Sequence, residues 1–170
     1  MESNIDTLTL LAEITIAFVA FATITASIKM TLGVDLSAYQ RLVIHYFTES
    51  AMISISIIIL TLVLLNFFPD RVELASIISC IYAFVACSAY MLWYMRRRIA
   101  IKAPTPIASM LVIIGYFAMI VLLGITISGL IWKPSIEIVC AVASYNLLGA
   151  AVIFSAFLGG FIDSNKDETP

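Results

Sequence analysis

Five apolar runs of about twenty residues, parted by short polar breaks, dominate this 170-residue chain and leave few folds open to it. A helix rises ~1.5 Å per residue and needs about 20 mostly apolar residues to cross a bilayer. A fold of this size has too little interior to bury five such runs away from water. Charged residues make up 12% of the chain and apolar residues 62%, whereas a soluble domain carries roughly a quarter charged residues. The expectation is an all-α integral membrane helical bundle: one domain over 1–162, with five transmembrane helices at about 8–28, 47–68, 74–95, 107–132 and 138–162. A polar tail, 163–170, follows.

The breaks carry their own signals. The first span contains a single formal charge, Glu13, and ends at Lys29. A polar hinge over 33–37 leads to Ser37 and Gln40, spaced as a capping box that opens the second helix. That helix starts wet, with Arg41 and His45, and enters its apolar run near Phe47; Pro69-Asp70 stops it. Trp93 and Tyr94 end the third span where an interfacial aromatic belt would hold them. Pro104-Thr105-Pro106 breaks the chain before the fourth span, and Lys133-Pro134-Ser135 turns it into the fifth. Ser135 is placed to cap that last helix, and Glu137 sits in its first turn, where the helix dipole favours a negative charge. Such short connections make consecutive helices antiparallel neighbours.

Orientation follows from the basic residues, which gather on the cytoplasmic side of membrane proteins. With the loop after Arg96 inside, Lys29, Arg41, Arg96, Arg97, Arg98, Lys102 and Lys166 are all inside, and only Arg71 and Lys133 are outside. The chain is therefore expected to be multi-pass in the cell (inner or plasma) membrane, N-terminus out and C-terminus in. Glu2 and Asp6 stand where a cleaved signal would carry positive charge, so the first run reads as a retained span. Arg96, Arg97, Arg98 and Lys102 act in this reading as a topology anchor against anionic headgroups.

Lipid tails supply no hydrophobic drive for helix association, so small residues that let backbones approach are expected at the contacts. Ala75, Ser79, Ala83 and Cys87 recur every four residues in the third span. In the first span Glu13, Ala17, Ala20, Ile24 and Ser27 share one face, expected to point inward. Asn146, Gly149, Ala156 and Gly160 form a comparable face in the fifth. These are helix-packing residues, either within one chain or between copies. Cys80, Cys87 and Cys140 lie inside apolar runs and behave as small hydrophobes there; their spacing matches no metal or redox motif.

The residues with chemistry to offer are few. A carboxylate inside a span costs a few kcal/mol, and such residues usually face protein or water. Glu13 is therefore either an interhelical contact or a proton or cation site. Arg41, His45, Glu49, Met52 and Ser56 fall on one face of the second helix, which puts Glu49 one turn beyond the lone histidine. That ladder is either an interfacial helix start, with Arg41 reaching to lipid phosphates, or a titratable group. Antiparallel packing is expected to set Glu13 toward the outer side and Glu49 toward the inner, with Asn146 between as a third polar station. Nothing resembles a nucleophile elbow, a phosphate loop or a paired metal motif, so no enzyme, metal or cofactor is expected. No basic patch interleaved with aromatics suits nucleic acid.

Leu11-Ala12-Glu13-Ile14, then Ala17 to Ala22, then Tyr39-Gln40-Arg41-Leu42 and Glu49-Ser50, resemble an uncharacterised family of small prokaryotic multi-span membrane proteins. Ala20-Phe21 stands here where that family tends to have Gly-Phe. The resemblance covers the first two spans and implies only that Glu13, Arg41 and Glu49 belong to a common pattern. The expected function is an oligomerising or partner-binding membrane subunit, its partners being the bilayer and a second copy or another membrane protein. The alternative is a proton- or ion-linked channel or transporter using Glu13 and Glu49. The orientation is checked by fusing, after Pro170, a reporter that is active only in the cytoplasm: activity is expected, and silence contradicts the topology.

Overall fold

The computed structural model describes residues 2–31, 38–101 and 106–164. The hinge with Ser37, the break at Pro104 and Thr105, Lys102, Lys166 and the tail from 165 onward lie outside the described residues, as do the side-chain surroundings of Lys29, Ala156 and Gly160. Five helices account for nearly all the rest: α1 Glu2–Thr31, α2 Ala38–Phe67, α3 Val72–Ile101, α4 Ile107–Ile127 and α5 Ile136–Ser164. No strand occurs among the described residues, and all five helices are long and apolar enough to cross a membrane.

The helices run alternately up and down. Asn4, near the start of α1, donates to the Glu137 carboxylate in the first turn of α5 at 2.8 Å. The same end holds the start of α3, because Val72 and Glu73 line one cleft with Lys133, Ser135 and Glu137. At the opposite end the start of α2 meets the finish of α3. The ends differ in charge. Asp6, Asp70, Glu73 and Glu137 surround Arg71 and Lys133 at the first, while Arg41, Arg96, Arg97 and Arg98 dominate the second.

At the centre, α2 and α5 share the largest interface in the bundle, and α3 packs on both. α4 closes one side against α3 and α5. α1 lies on α2 and α5 alone, touching neither α3 nor α4 among the described residues. Only 17% of its apolar window is buried, against 44% for α5. The core therefore centres on α2, α3 and α5, with Phe47, Ile57, Ile58, Cys80, Val139 and Val142 among its fully enclosed side chains, and α4 adds Leu123.

The four-residue stripe of α3 lies inside this core: Ala75, Ser79, Ala83 and Cys87 are each 0% exposed. Their small size lets α3 approach its neighbours within one chain, so this stripe packs the monomer. α4 ends earlier than its apolar run. The expected span reached residue 132, yet the helix stops at Ile127. Gly129 takes φ +69°, its N–H bonds to Thr126 O at 3.0 Å, and Leu130 N–H returns to Ile125 O at 3.4 Å. This paired arrangement is a Schellman motif, which needs the left-handed residue that glycine supplies at least strain. Leu130, Ile131 and Trp132 extend beyond it, all exposed.

Candidate functional site

Three polar features interrupt the apolar bundle: a charged cluster between α2 and α3, a hydroxyl-rich centre, and Glu13. The first is built on the ladder of α2. Arg41, His45 and Glu49 stand at successive turns, and Glu49 faces α3 rather than solvent alone. Arg97 Nη1 donates to Glu49 Oε1 at 2.9 Å, while His45 Nδ1 lies 3.7 Å from the same oxygen. The Arg97 guanidinium also lies flat over Trp93, with Cζ 3.3 Å from the ring centroid. One face of the cation is thus held by a π-system and one edge by a carboxylate, contacts suited to a planar guanidinium. Farther along the same α2 face, Ser56 accepts a hydrogen bond from Tyr82 at 3.1 Å, and Met52 is exposed.

Arg97 was expected only as part of a topology anchor with Arg96, Arg98 and Lys102, and its bond to Glu49 was not anticipated. Nothing in either helix's own sequence reveals that pairing, because it depends on the register between α2 and α3. Side chains lean toward the start of their own helix. In an antiparallel pair Arg97 and Glu49 therefore lean toward each other, which closes an axial offset their backbones would leave open. Arg98, one residue on, faces inward and is 7% exposed.

The second feature is a run of tyrosines drawn from four helices. Tyr145 meets Tyr116 at 6.3 Å between ring centroids, Tyr116 meets Tyr90 at 6.2 Å, and Tyr46 touches Tyr90 at 6.1 Å and Tyr94 at 5.2 Å. Tyr90 donates to Tyr46 O and Tyr145 to Val112 O. Cys87, Tyr116 and Asn146 come together in the middle of the bundle. Tyr46 Oη, Tyr116 Oη and both polar atoms of the Asn146 carboxamide meet no hydrogen-bond partner among the described residues. The buried hydroxyls of α2 differ: Ser50, Ser54 and Thr61 each bond a carbonyl of their own helix.

Two glycines admit this centre. A Cβ on Gly149 would stand 3.1 Å from Val112 Cγ1 and 3.4 Å from Tyr46 Oη, so its hydrogen lets α5 close on both. Gly115, not singled out in the sequence, has the Tyr145 hydroxyl where a Cβ would be. Asn146, expected on a packing face with Gly149, does lie inward, at 1% exposure.

Glu13 reverses its expectation. The buried stripe of α1 is Leu8, Thr15 and Ala22; Glu13, Ala17, Ala20, Ile24 and Ser27 are all exposed on the outside of the bundle. The reason lies in composition: α1 is apolar almost all round, so the larger side chains on the other face fill the groove between α2 and α5, with Phe18 edge-on to Phe47 and Phe154. Glu13 forms no ion pair or hydrogen bond among the described residues.

The contact of Phe18 with Phe47 also sets depth. Glu13 lies five residues before Phe18, and Glu49 two after Phe47. In antiparallel helices at ~1.5 Å per residue, the two are ~8 Å and ~3 Å from the ring level, in the same direction. Both lie on the same side of that ring contact, ~5 Å apart along the bundle, and they face away from each other: Glu49 toward α3, Glu13 outward. No hydrogen bond or ion pair joins Glu13, Glu49 and Asn146 into a relay among the described residues. No group of His, Cys, Asp and Glu suited to a metal ion occurs among them either.

No family model, curated protein or solved structure matches the chain. The charged cluster makes its own prediction. Hydrogen bonds to charged groups contribute about 1.5–3 kcal/mol when shielded and less when solvated. Glu49 and Arg97 are 24% and 33% exposed, so a double-mutant cycle of Glu49→Gln and Arg97→Gln is expected to give a coupling of about 1 kcal/mol. Unfolding in detergent micelles reads it; a coupling of zero would make the pair incidental.

Proposed function

We propose that the protein is a small multi-pass membrane subunit that assembles through the outward face of α1, with a second copy of itself or with another membrane protein. The observation that carries this reading is Glu13: a carboxylate within an apolar span, on an exposed helix face, with no partner among the described residues. In hydrocarbon such a group is costly and usually faces protein or water. Small residues beside it, Ala17 and Ala20, would let a second backbone approach closely.

Comparison with α4 strengthens the reading. The outward face of α4 is Met110, Leu111, Ile114, Phe117 and Val121, entirely apolar, as suits contact with lipid. α1 exposes large apolar residues too, Leu10, Ile14, Ile16, Phe21 and Ile24, but among them stand Glu13, Ala17, Ala20, Thr23 and Ser27. It is also the helix with the least buried apolar window, attached to only two neighbours.

A proton- or ion-linked carrier using Glu13 and Glu49 receives less support. It would need a path between the two carboxylates, and they face different surroundings, one of them bonded to Arg97. The basic end of the bundle favours the cytoplasm under the positive-inside rule, giving N-terminus out and C-terminus in. The cell (inner or plasma) membrane is the compartment this reading assigns.

Two alanines separate assembly from folding. Ala20→Leu is expected to lower the stoichiometry of the membrane complex, read by single-molecule photobleaching, while leaving the helicity and thermal midpoint of the chain unchanged. Ala83→Leu, on the enclosed stripe of α3, is expected to destabilise the monomer by about 1–3 kcal/mol through overpacking. Glu13→Gln keeps the shape of the contact and removes its charge, and serves as the conservative control. An Ala20→Leu protein with unchanged partners and stoichiometry would defeat the proposal.

A further inference from the structure

Beyond assembly, and resting on the membrane-spanning reading, we propose that the cleft between the start of α2 and the finish of α3 seats the phosphate of an anionic phospholipid. This cleft has a volume of about 350 Å³ and is lined by Arg41, Leu42, His45, Arg97, Ala100 and Ile101. It therefore combines three nitrogen-bearing side chains with a wall of Leu42, Ala100 and Ile101. A free ion would gain nothing from such a wall. A lipid gains from both, since its headgroup phosphate is esterified to the glycerol that carries the acyl chains.

The two arginines are prepared in different ways. Arg97 is held by Trp93 beneath it and by Glu49 at one nitrogen, and a guanidinium has five N–H donors. Four of these donors are not used by the bond to Glu49. Arg41 is exposed and forms no ion pair or hydrogen bond among the described residues. Glu49 offsets one positive charge in the cluster; Arg41 remains, and Arg96 adjoins Arg97 on α3. The cleft is consequently cationic, and a planar guanidinium binds phosphate oxygens in bidentate fashion.

Depth agrees with charge. α2 and α3 are 30 residues each, about 45 Å at helical rise, against ~30 Å of hydrocarbon. Their ends therefore reach the headgroup layer. Arg41 lies three residues inside the start of α2, and Arg97 four before the end of α3, so both backbones reach the phosphate level, with the Arg97 guanidinium leaning back over Trp93. Basic residues at that level draw anionic lipid.

Native mass spectrometry of the detergent-purified full chain tests this, with phosphatidylglycerol, phosphatidylcholine and inorganic phosphate as probes. The wild-type protein should retain one phosphatidylglycerol about thirtyfold more tightly than phosphatidylcholine, a preference on the scale of two basic residues at a membrane surface. Arg41→Gln should reduce that preference about fivefold. Arg71→Gln, at the opposite end, should leave it intact. Arg97 is spared in this comparison because it also holds Glu49, and circular dichroism confirms that the Arg41 variant is folded. Equal retention of both lipids, an Arg71→Gln loss matching that of Arg41→Gln, or displacement of the lipid by millimolar inorganic phosphate would each overturn the assignment. Incorporation into lipid discs is scored separately, so a chain that did not enter a bilayer would fail there and not in the lipid preference.

Discussion

The bond between Arg97 and Glu49 shows the constraint under which the whole bundle is built: a polar group in an apolar helix must find its partner inside the protein or do without water. The backbone meets that demand by being helical. Serines and threonines of α2 meet it by bonding carbonyls of their own helix. Glu49 meets it across an interface, by reaching α3. Each solution is local and can be traced to one or two atoms. Glu13 follows none of them, and for that reason it is the residue on which the functional reading turns.

The same constraint explains the contrast between α1 and α3. Both carry a small-residue face, and by composition the two are alike. In α3 that face is closed in by neighbouring helices, and its alanines and cysteine disappear from the surface. In α1 the bulkier opposite face is used, and Phe18 fills the groove against Phe47 and Phe154. A helix held by only two neighbours has one face to spare. On the proposed reading, a spare face bearing a carboxylate, two alanines and a threonine is the contact surface we assign, while the wholly apolar spare face of α4 suits lipid.

Which parts of this were legible in the sequence follows from the kind of signal each part leaves. Span number and order are a matter of hydropathy over about twenty residues, a signal too long to be blurred by single substitutions. Helix ends are subtler: the apolar run through Trp132 hid the stop at Ile127, although Gly129 carried the C-cap signal. The inward direction of α1 was not legible because its periodicity is weak: small residues mark the Glu13 face as the expected contact, yet the face bearing Phe18 fills the groove instead. Register between helices is not written in either helix alone. Hence the partner of Glu49 and the meeting of Tyr46, Tyr90, Tyr94, Tyr116 and Tyr145 emerged only from the packing. Gly115 left no cue, since its role is defined by a tyrosine thirty residues away in α5.

The central claim, that the outward face of α1 is covered by protein in the membrane, is tested most directly by photo-crosslinking in intact membranes. A photoreactive phenylalanine analogue at Ile24, exposed beside the Glu13 face, is compared with one at Leu111, exposed on α4. The account expects a protein adduct from position 24 and only lipid adducts from position 111. Equal yields of protein adduct from the two positions, or none from position 24, would contradict it.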